Sequence, residues 1–357
     1  MTKASKPLVA RVLLDPGLAS DLSVGDWDLL VRQARRANVL GALHAILRTA
    51  AVLDQVPAAP LMHLNAAAAV SSRQSQATRW EVDCVLSALN ELSVPVVLLK
   101  GAAYVMADMP TAAGRIFNDV DILVPPEWVV EVESRLLING WQDTGHTAYD
   151  QRYYRRWMHE IPPLRHMRRG TILDLHHAIL PPTARIQVDM PLMRQAAVSV
   201  PGHSNLFVLS HLDMILHSAT HLFQEGELQN GFRDLFDLDR MLRHFATQPA
   251  FWDQLMARSV AVGLQQPLGL ALRHASAMFD TPVPISLAKV EPRGLISRDV
   301  LDFCYGRSLL PHHASCHRPG FGVAGTMLYI RSHWLRMPAG LLIPHLVRKA
   351  LTPAAKG

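Results

Sequence analysis

Val94-Pro95-Val96-Val97-Leu98-Leu99-Lys100-Gly101 and, further along, Asn118-Asp119-Val120-Asp121-Ile122-Leu123-Val124 are the stretches on which the fold turns. The first is a short β-branched apolar run bounded by proline, the pattern of a buried strand. Its Lys100-Gly101 ending predicts a strand-turn-helix junction, with a helix over Ala102 to Ala107 and a loop over Pro110 to Gly114. The second reads as another strand, stopped by Pro125-Pro126.

Working outward, Glu127 to Ile138 reads as a helix ended by Asn139-Gly140, and from Trp141 short strands are expected. The clearest of these is Thr171-Ile172-Leu173-Asp174-Leu175-His176. On the N-terminal side, Trp27, Leu30, Val31, Ala34, Val39, Leu43, Ile46 and Leu47 recur at helical spacing behind Ser23-Val24-Gly25-Asp26, a capping-box pattern. A second helical stretch runs from about Pro60 to Leu92. Beyond Pro201 the helical period returns in 206–223, 232–245, 251–278 and 298–305. The expected class is therefore α+β, with a small mixed-sheet core at 94–200 flanked by helical regions at 1–93 and 201–357.

Composition sets wider limits. At 357 residues, about two or three domains of ordinary size are expected. With 49% hydrophobic and 18% charged residues, wholesale disorder and collagen-like repetition are excluded. A formal charge of +5 gives a mildly basic surface able to attract nucleotide phosphates or other polyanions. Cys84, Cys304 and Cys316 are too few and too scattered for a disulfide framework or a four-cysteine zinc site, and a reducing, cytoplasmic setting fits them. The stretch after Met1 to Pro7 is interrupted by Arg11, Asp15 and Pro16, so no signal peptide is expected. No apolar run reaches the roughly 18 residues of a membrane span.

Asp119 and Asp121 stand two apart on a predicted strand, which puts both carboxylates on one face, about 6.6 to 6.8 Å apart at Cα. Hard oxygen ligands converging in this way suit Mg²⁺ in a phosphoryl-transfer site. Asp174, flanked by apolar residues on a later strand, is the candidate third carboxylate; the plainer alternative is a strand-end cap or a pair with Arg168 or Arg169. Lys100-Gly101 would meet nucleotide phosphates at the start of a helix, with Gly101 permitting close approach. Arg115 would add a bidentate phosphate contact or, alternatively, pair with a surface carboxylate.

Taken in order, strand, Lys-Gly, helix, Arg, Asp-x-Asp strand, helix and a later strand bearing one Asp resemble the core of DNA polymerase β-like nucleotidyltransferases. Val96 to Ala103, Arg115, Asn118 to Val124 and Ile172 to His176 are similar to an uncharacterised bacterial nucleotidyltransferase family of that superfamily. The resemblance spans about Asp26 to Arg243. It implies Mg²⁺ (or Mn²⁺) at Asp119, Asp121 and Asp174, and an NTP, ATP among them, as substrate. Nucleoside monophosphate would pass to an acceptor whose class stays open (small molecule, peptide or RNA), with release of pyrophosphate. One departure is that the wider superfamily has Gly-Ser or Gly-Gly after its first strand where this chain has Lys100-Gly101-Ala102. Two other readings accompany this one: a non-catalytic nucleotide- or partner-binding module, and a toxin-like enzyme modifying tRNA, the latter drawing on Arg152-Tyr153-Tyr154-Arg155-Arg156-Trp157. That run reads equally as an amphipathic strand.

Asp213, His217 and His221 fall at i, i+4 and i+8 of one predicted helix, a face with the ligand types for zinc that reads more readily as a packing stripe or a wall of the nucleotide pocket. His176 is read as making a structural hydrogen bond, and His312-His313-Ala314-Ser315-Cys316-His317 as an adventitious metal trap. Arg233 and Asp237 are spaced for an i, i+4 ion pair on a solvated face, with Asp234 or Asp237 as acceptor-positioning alternatives. Leu341 to Lys349, apolar and basic, is expected to dock on the domain in preference to a membrane.

Overall fold

The computed structural model describes residues 6–145, 147–224, 226, 228–284, 287, 297–338, 340 and 342. Apart from Leu342, the Leu341 to Lys349 segment lies outside them, as do Met1 to Ser5.

Four helices come first: α1 (Leu8–Leu14), α2 (Val24–Arg36), α3 (Leu40–Thr49) and α4 (Ala58–Ala88). The capping box forms as its sequence requires, the Asp26 backbone N–H donating to Ser23 Oγ at 3.2 Å while the Ser23 N–H donates back to the Asp26 carboxylate. Then β1 (Val96–Leu98), α5 (Lys100–Met106), β2 (Asp119–Leu123), α6 (Val129–Ile138), β3 (Trp141–Asp143), α7 (Ala148–Trp157), β4 (Leu164–His166) and β5 (Ile172–His176) build the mixed segment. After α8 (Met190–Gln195), β6 (Val198–Ser199) and β7 (Leu206–Val208) come α9 (His211–Gln224), α10 (Gly231–Phe245), α11 (Phe251–Ala261), α12 (Gln265–Phe279), α13 (Arg298–Ser308) and α14 (Phe321–Arg336).

The class is α+β. Seven strands form one mixed sheet in the order β3-β4-β5-β2-β1-β7-β6. β1 is antiparallel to β2 and parallel to β7, and β2 is parallel to β5. Val97, Leu98, Ile122, Leu123, Leu173 and Leu175 are buried, so these strands are apolar on the faces that meet helices. α4 packs on α5, α6 and β2, and its Gln74 accepts the Phe117 backbone N–H at 3.1 Å, fixing the entry to β2. At one further contact two backbones touch. A Cβ on Gly41 would lie 2.5 Å from the Gly114 carbonyl oxygen, and Gly114 itself has φ +78°, so α3 meets the loop before β2 with nothing between them.

Three expectations need correction. Residues 206–208 are strand, not helix; the helix starts only after Ser210, whose hydroxyl accepts the Asp213 N–H at 3.2 Å and so caps it. The run 152–157 belongs to helix α7, because Thr147 and Asp150 form a second capping box ahead of it. Residues 251–278 are two helices separated at Gly263, with φ +80° and a backbone too close to the Gln187 carbonyl oxygen, 2.5 Å from an added Cβ, to accept a side chain. No helix among the described residues is long and apolar enough to cross a membrane.

Candidate active site

The β2–β5 register sets the geometry. Asp121 stands directly beside Asp174, and Asp119 beside Ile172, so all three aspartates share one face of adjacent parallel strands. His176, two residues beyond Asp174, lies on the same face and reaches back to Asp121.

Asp121 is 2% exposed, and its Oδ1 accepts from Lys100 Nζ at 2.9 Å and meets His176 Nε2 at 3.1 Å. Burial alone would raise its pKa, but the Lys100 and His176 charges and hydrogen bonds prevail and hold it far below the ordinary carboxylate range. Lys100 reaches this position from a left-handed backbone, φ +45°, at the first residue of α5. For a non-glycine residue that conformation costs about 1 kcal/mol. In return it puts an ammonium in the centre of an acidic cluster.

Asp174 carries no such protection. Burial, then the Asp121 and Glu160 charges, push its carboxyl up to about 7, against the opposing pull of His176. Its Oδ1 is buried with no hydrogen-bond partner among the described residues. Asp119 has surface open to the cleft but is packed closely enough that desolvation, followed by Asp121, raises its pKa too. Of the two arginines offered as partners for Asp174, Arg169 is taken by a bidentate pair with Glu81 of α4 at 2.8 Å. Such a set of hard, under-compensated carboxylates fits a divalent cation.

In front of Asp119 and Asp121 lies a cleft of about 210 Å³ whose walls include Lys100, Gly101 and Tyr104 of α5, Arg115 to Asn118, His221 of α9, and Arg233, Asp234 and Asp237 of α10. Gly101 sits in it, but what the missing side chain admits is the Phe117 ring, 2.2 Å from an added Cβ. Arg115 faces the cleft with its guanidinium paired to Asp237, 3.8 Å from Asp234 and stacked over Tyr104 at 5.3 Å. Burial lowers its pKa, aided by Arg233. Arg233 does not bond Asp237 as its spacing suggested; it turns to Asp234 at 2.8 Å, and the α10 face is a cleft wall instead of a solvated one.

The Asp213-His217-His221 stripe does not converge. Asp213 is held by Arg258 at 2.7 Å, His217 is buried and kept neutral by desolvation and by Lys100, and His221 alone reaches the cleft. His176 makes the structural hydrogen bond expected of it, but to the central carboxylate. His176 Nδ1 is also 3.4 Å from Glu160, and burial, which would lower its pKa, is outweighed by Asp121 and Glu160, which raise it. His159, Glu160 and His176 together place ligand atoms within 4.8 Å of one another. Same-strand spacing from Asp174 pointed to His176, whereas Glu160 and Tyr104 carried no local signal. In the His312 to His317 run, His313 Nδ1 accepts the Ser315 N–H and His317 stacks on Phe321 at 4.3 Å.

A family profile described as an uncharacterised nucleotidyltransferase matches residues 23–280, which takes in the sheet, the three aspartates and the cleft. The chain belongs to the uncharacterised nucleotidyltransferase family. No curated protein matches it in sequence. One solved structure, that of an antigenic nucleotidyltransferase-like protein from Paracoccidioides brasiliensis, is 13% identical, covers 59% of this chain and 96% of its own, and has a TM-score of 0.26. The family's match ends at residue 280, before α13 and α14.

Proposed function

We propose that the protein transfers a nucleoside monophosphate from an NTP to an acceptor and releases pyrophosphate, as the polymerase β-like resemblance implies. The observation that carries this reading is the row of Asp119, Asp121 and Asp174 across β2 and β5, with one Asp174 oxygen buried and unbonded. Asp119, Asp121 and Asp174 would hold Mg²⁺ or Mn²⁺, which when bound supplies positive charge against the phosphate oxygens. The acceptor oxygen attacks the α-phosphorus, the α–β phosphoanhydride bond breaks, and pyrophosphate departs. Lys100 and Arg115, which line the cleft, would seat the phosphates and offset the departing charge. Asp174, as a ligand of that ion beside the acceptor, would favour the acceptor's deprotonated form. The family membership and three free cysteines, Cys84, Cys304 and Cys316, are consistent with a cytoplasmic enzyme.

A second reading, a nucleotide-binding module without turnover, is favoured by one feature. The Lys100 ammonium already rests on Asp121, in the place a metal would share, where the wider superfamily carries Gly-Ser or Gly-Gly. Incubation of the purified protein with each labelled NTP, Mg²⁺ or Mn²⁺ and cell extract separates the two. Release of pyrophosphate with one labelled acceptor is the expected result. NTP binding with no pyrophosphate in any combination establishes the binding module.

A further inference from the structure

We infer that α13 and α14 form a docking face for an anionic membrane surface. Two independent observations meet there. In α14, Val323, Met327, Ile330 and Trp334 are 63%, 39%, 62% and 42% exposed. Spaced by four, three and four residues, they fall within a sector of about 60° on the helix. The residues that α14 does bury, Ala324, Leu328 and Ser332, lie on another side. Exposed Phe303 of α13 lies against Gly320 at the start of α14, extending the apolar surface. Contiguous exposed apolar surface of this kind marks an interaction site.

The second observation is charge. From Phe303 to Gly357 the sequence has no Asp or Glu but has Arg307, Arg318, Arg331, Arg336, Arg348, Lys349 and Lys356, whereas residues 1–302 hold the other 28 Lys and Arg against all 30 Asp and Glu. The whole positive balance of the chain therefore belongs to this stretch. Arg331 donates to the Phe223 carbonyl and the Tyr305 hydroxyl, and Arg307 to the Pro319 carbonyl, so both keep their charge uncompensated by carboxylates. Arg185 adds another cation at the edge of the stripe, stacked 4.1 Å over Trp334.

The α14 stripe with its interfacial tryptophan, flanked by Arg185, Arg307 and Arg331 on a helix that itself carries no acid, matches acyl chains below and anionic headgroups above; the two acids of α13, Asp299 and Asp302, precede Phe303. A second copy fits poorly, because two α14 stripes would bring the arginines around them against one another, and α14 itself has no acid to offset them. Nucleic acid fits the charge but offers nothing for Val323, Met327 and Ile330, which lack the flat rings on which bases stack.

The test is flotation of the full chain with phosphatidylcholine vesicles, with and without phosphatidylglycerol. Binding to the anionic vesicles only, weakened by high salt, is expected. Ile330→Asp should lower partitioning by about tenfold, with the melting temperature unchanged because the residue is exposed. Equal partitioning to both vesicles, or to neither, overturns the inference. So does a dimer in sedimentation that Ile330→Asp disperses, RNA binding in place of vesicle binding, or a large fall in melting temperature for Ile330→Asp, which would mean that the chain itself covers the stripe.

Discussion

Two clusters of ionisable groups face each other across the cleft, and they are balanced differently. On α10 and the loop before β2, Arg115 and Arg233 meet Asp234 and Asp237, two cations for two acids. Burial pushes the Asp234 carboxyl up, yet Arg233 and Arg115 hold it below its usual range. On β2 and β5, three aspartates and the neighbouring Glu160 meet Lys100 and His176, and here Asp174 and Asp119 are pushed up. A matched cluster is content as a wall. A cluster with excess acid is electrostatically incomplete, and such incompleteness is where a cation or a proton has work to do.

The contrast breaks most sharply at Asp119. Asp119→Asn should reduce pyrophosphate release about a thousandfold or more with the melting temperature unchanged or raised, since a repelling charge goes; unchanged turnover would remove the mechanism. The reverse pattern is expected at Arg258, which serves only packing. Arg258→Ala leaves the buried Asp213 carboxylate with the Ser210 hydroxyl but no cation, and should cost about 3 to 5 kcal/mol in denaturant melts, with no loss of rate per folded molecule. Arg115→Lys comes next, with kcat/KM down about tenfold because an ammonium lacks the guanidinium fork; an equal fall in stability would make the residue merely structural.

Smallest is a pair of opposed pH dependences. Asp174, raised to about 7, binds its proton more tightly folded than unfolded, so its contribution to stability is lost as pH rises from about 4 to about 7. His274, lowered to about 4 by burial in spite of Asp302, is stabilising when neutral, and that contribution is lost as pH falls from about 6.5 towards 4. Melting curves should therefore show Asp174→Asn gaining over the native protein most at neutral pH, the gap closing by pH 4. His274→Gln should flatten the acid limb. A gap for Asp174→Asn that is constant with pH would separate that carboxyl from the strained cluster.

Much of this contrast was legible before any coordinates. β1, β2 and β5 announce themselves through short apolar runs whose only acidic members are the aspartates, so both the sheet centre and its acids follow from alternation. The Ser23 to Asp26 cap was equally plain. Ser210 to Asp213 and Thr147 to Asp150 carry the same helix-start chemistry, but the apolar run at 206–208 and the aromatic-basic run at 152–157 mask it in the sequence pattern. The partners of the acids were harder to see. Glu81 captures Arg169 across 88 positions of sequence and Asp237 captures Arg115, encounters that only the packing of α4 and α10 decides.

The glycine pair Gly41 and Gly114 has a last implication. Where main chain rests on main chain, there is no side chain to yield, and each piece inherits the position of the other. Arg115 is the very next residue, so α3 acts as a template against which the Arg115 wall of the cleft is gauged, and any side chain added at either glycine would be felt there before anywhere else.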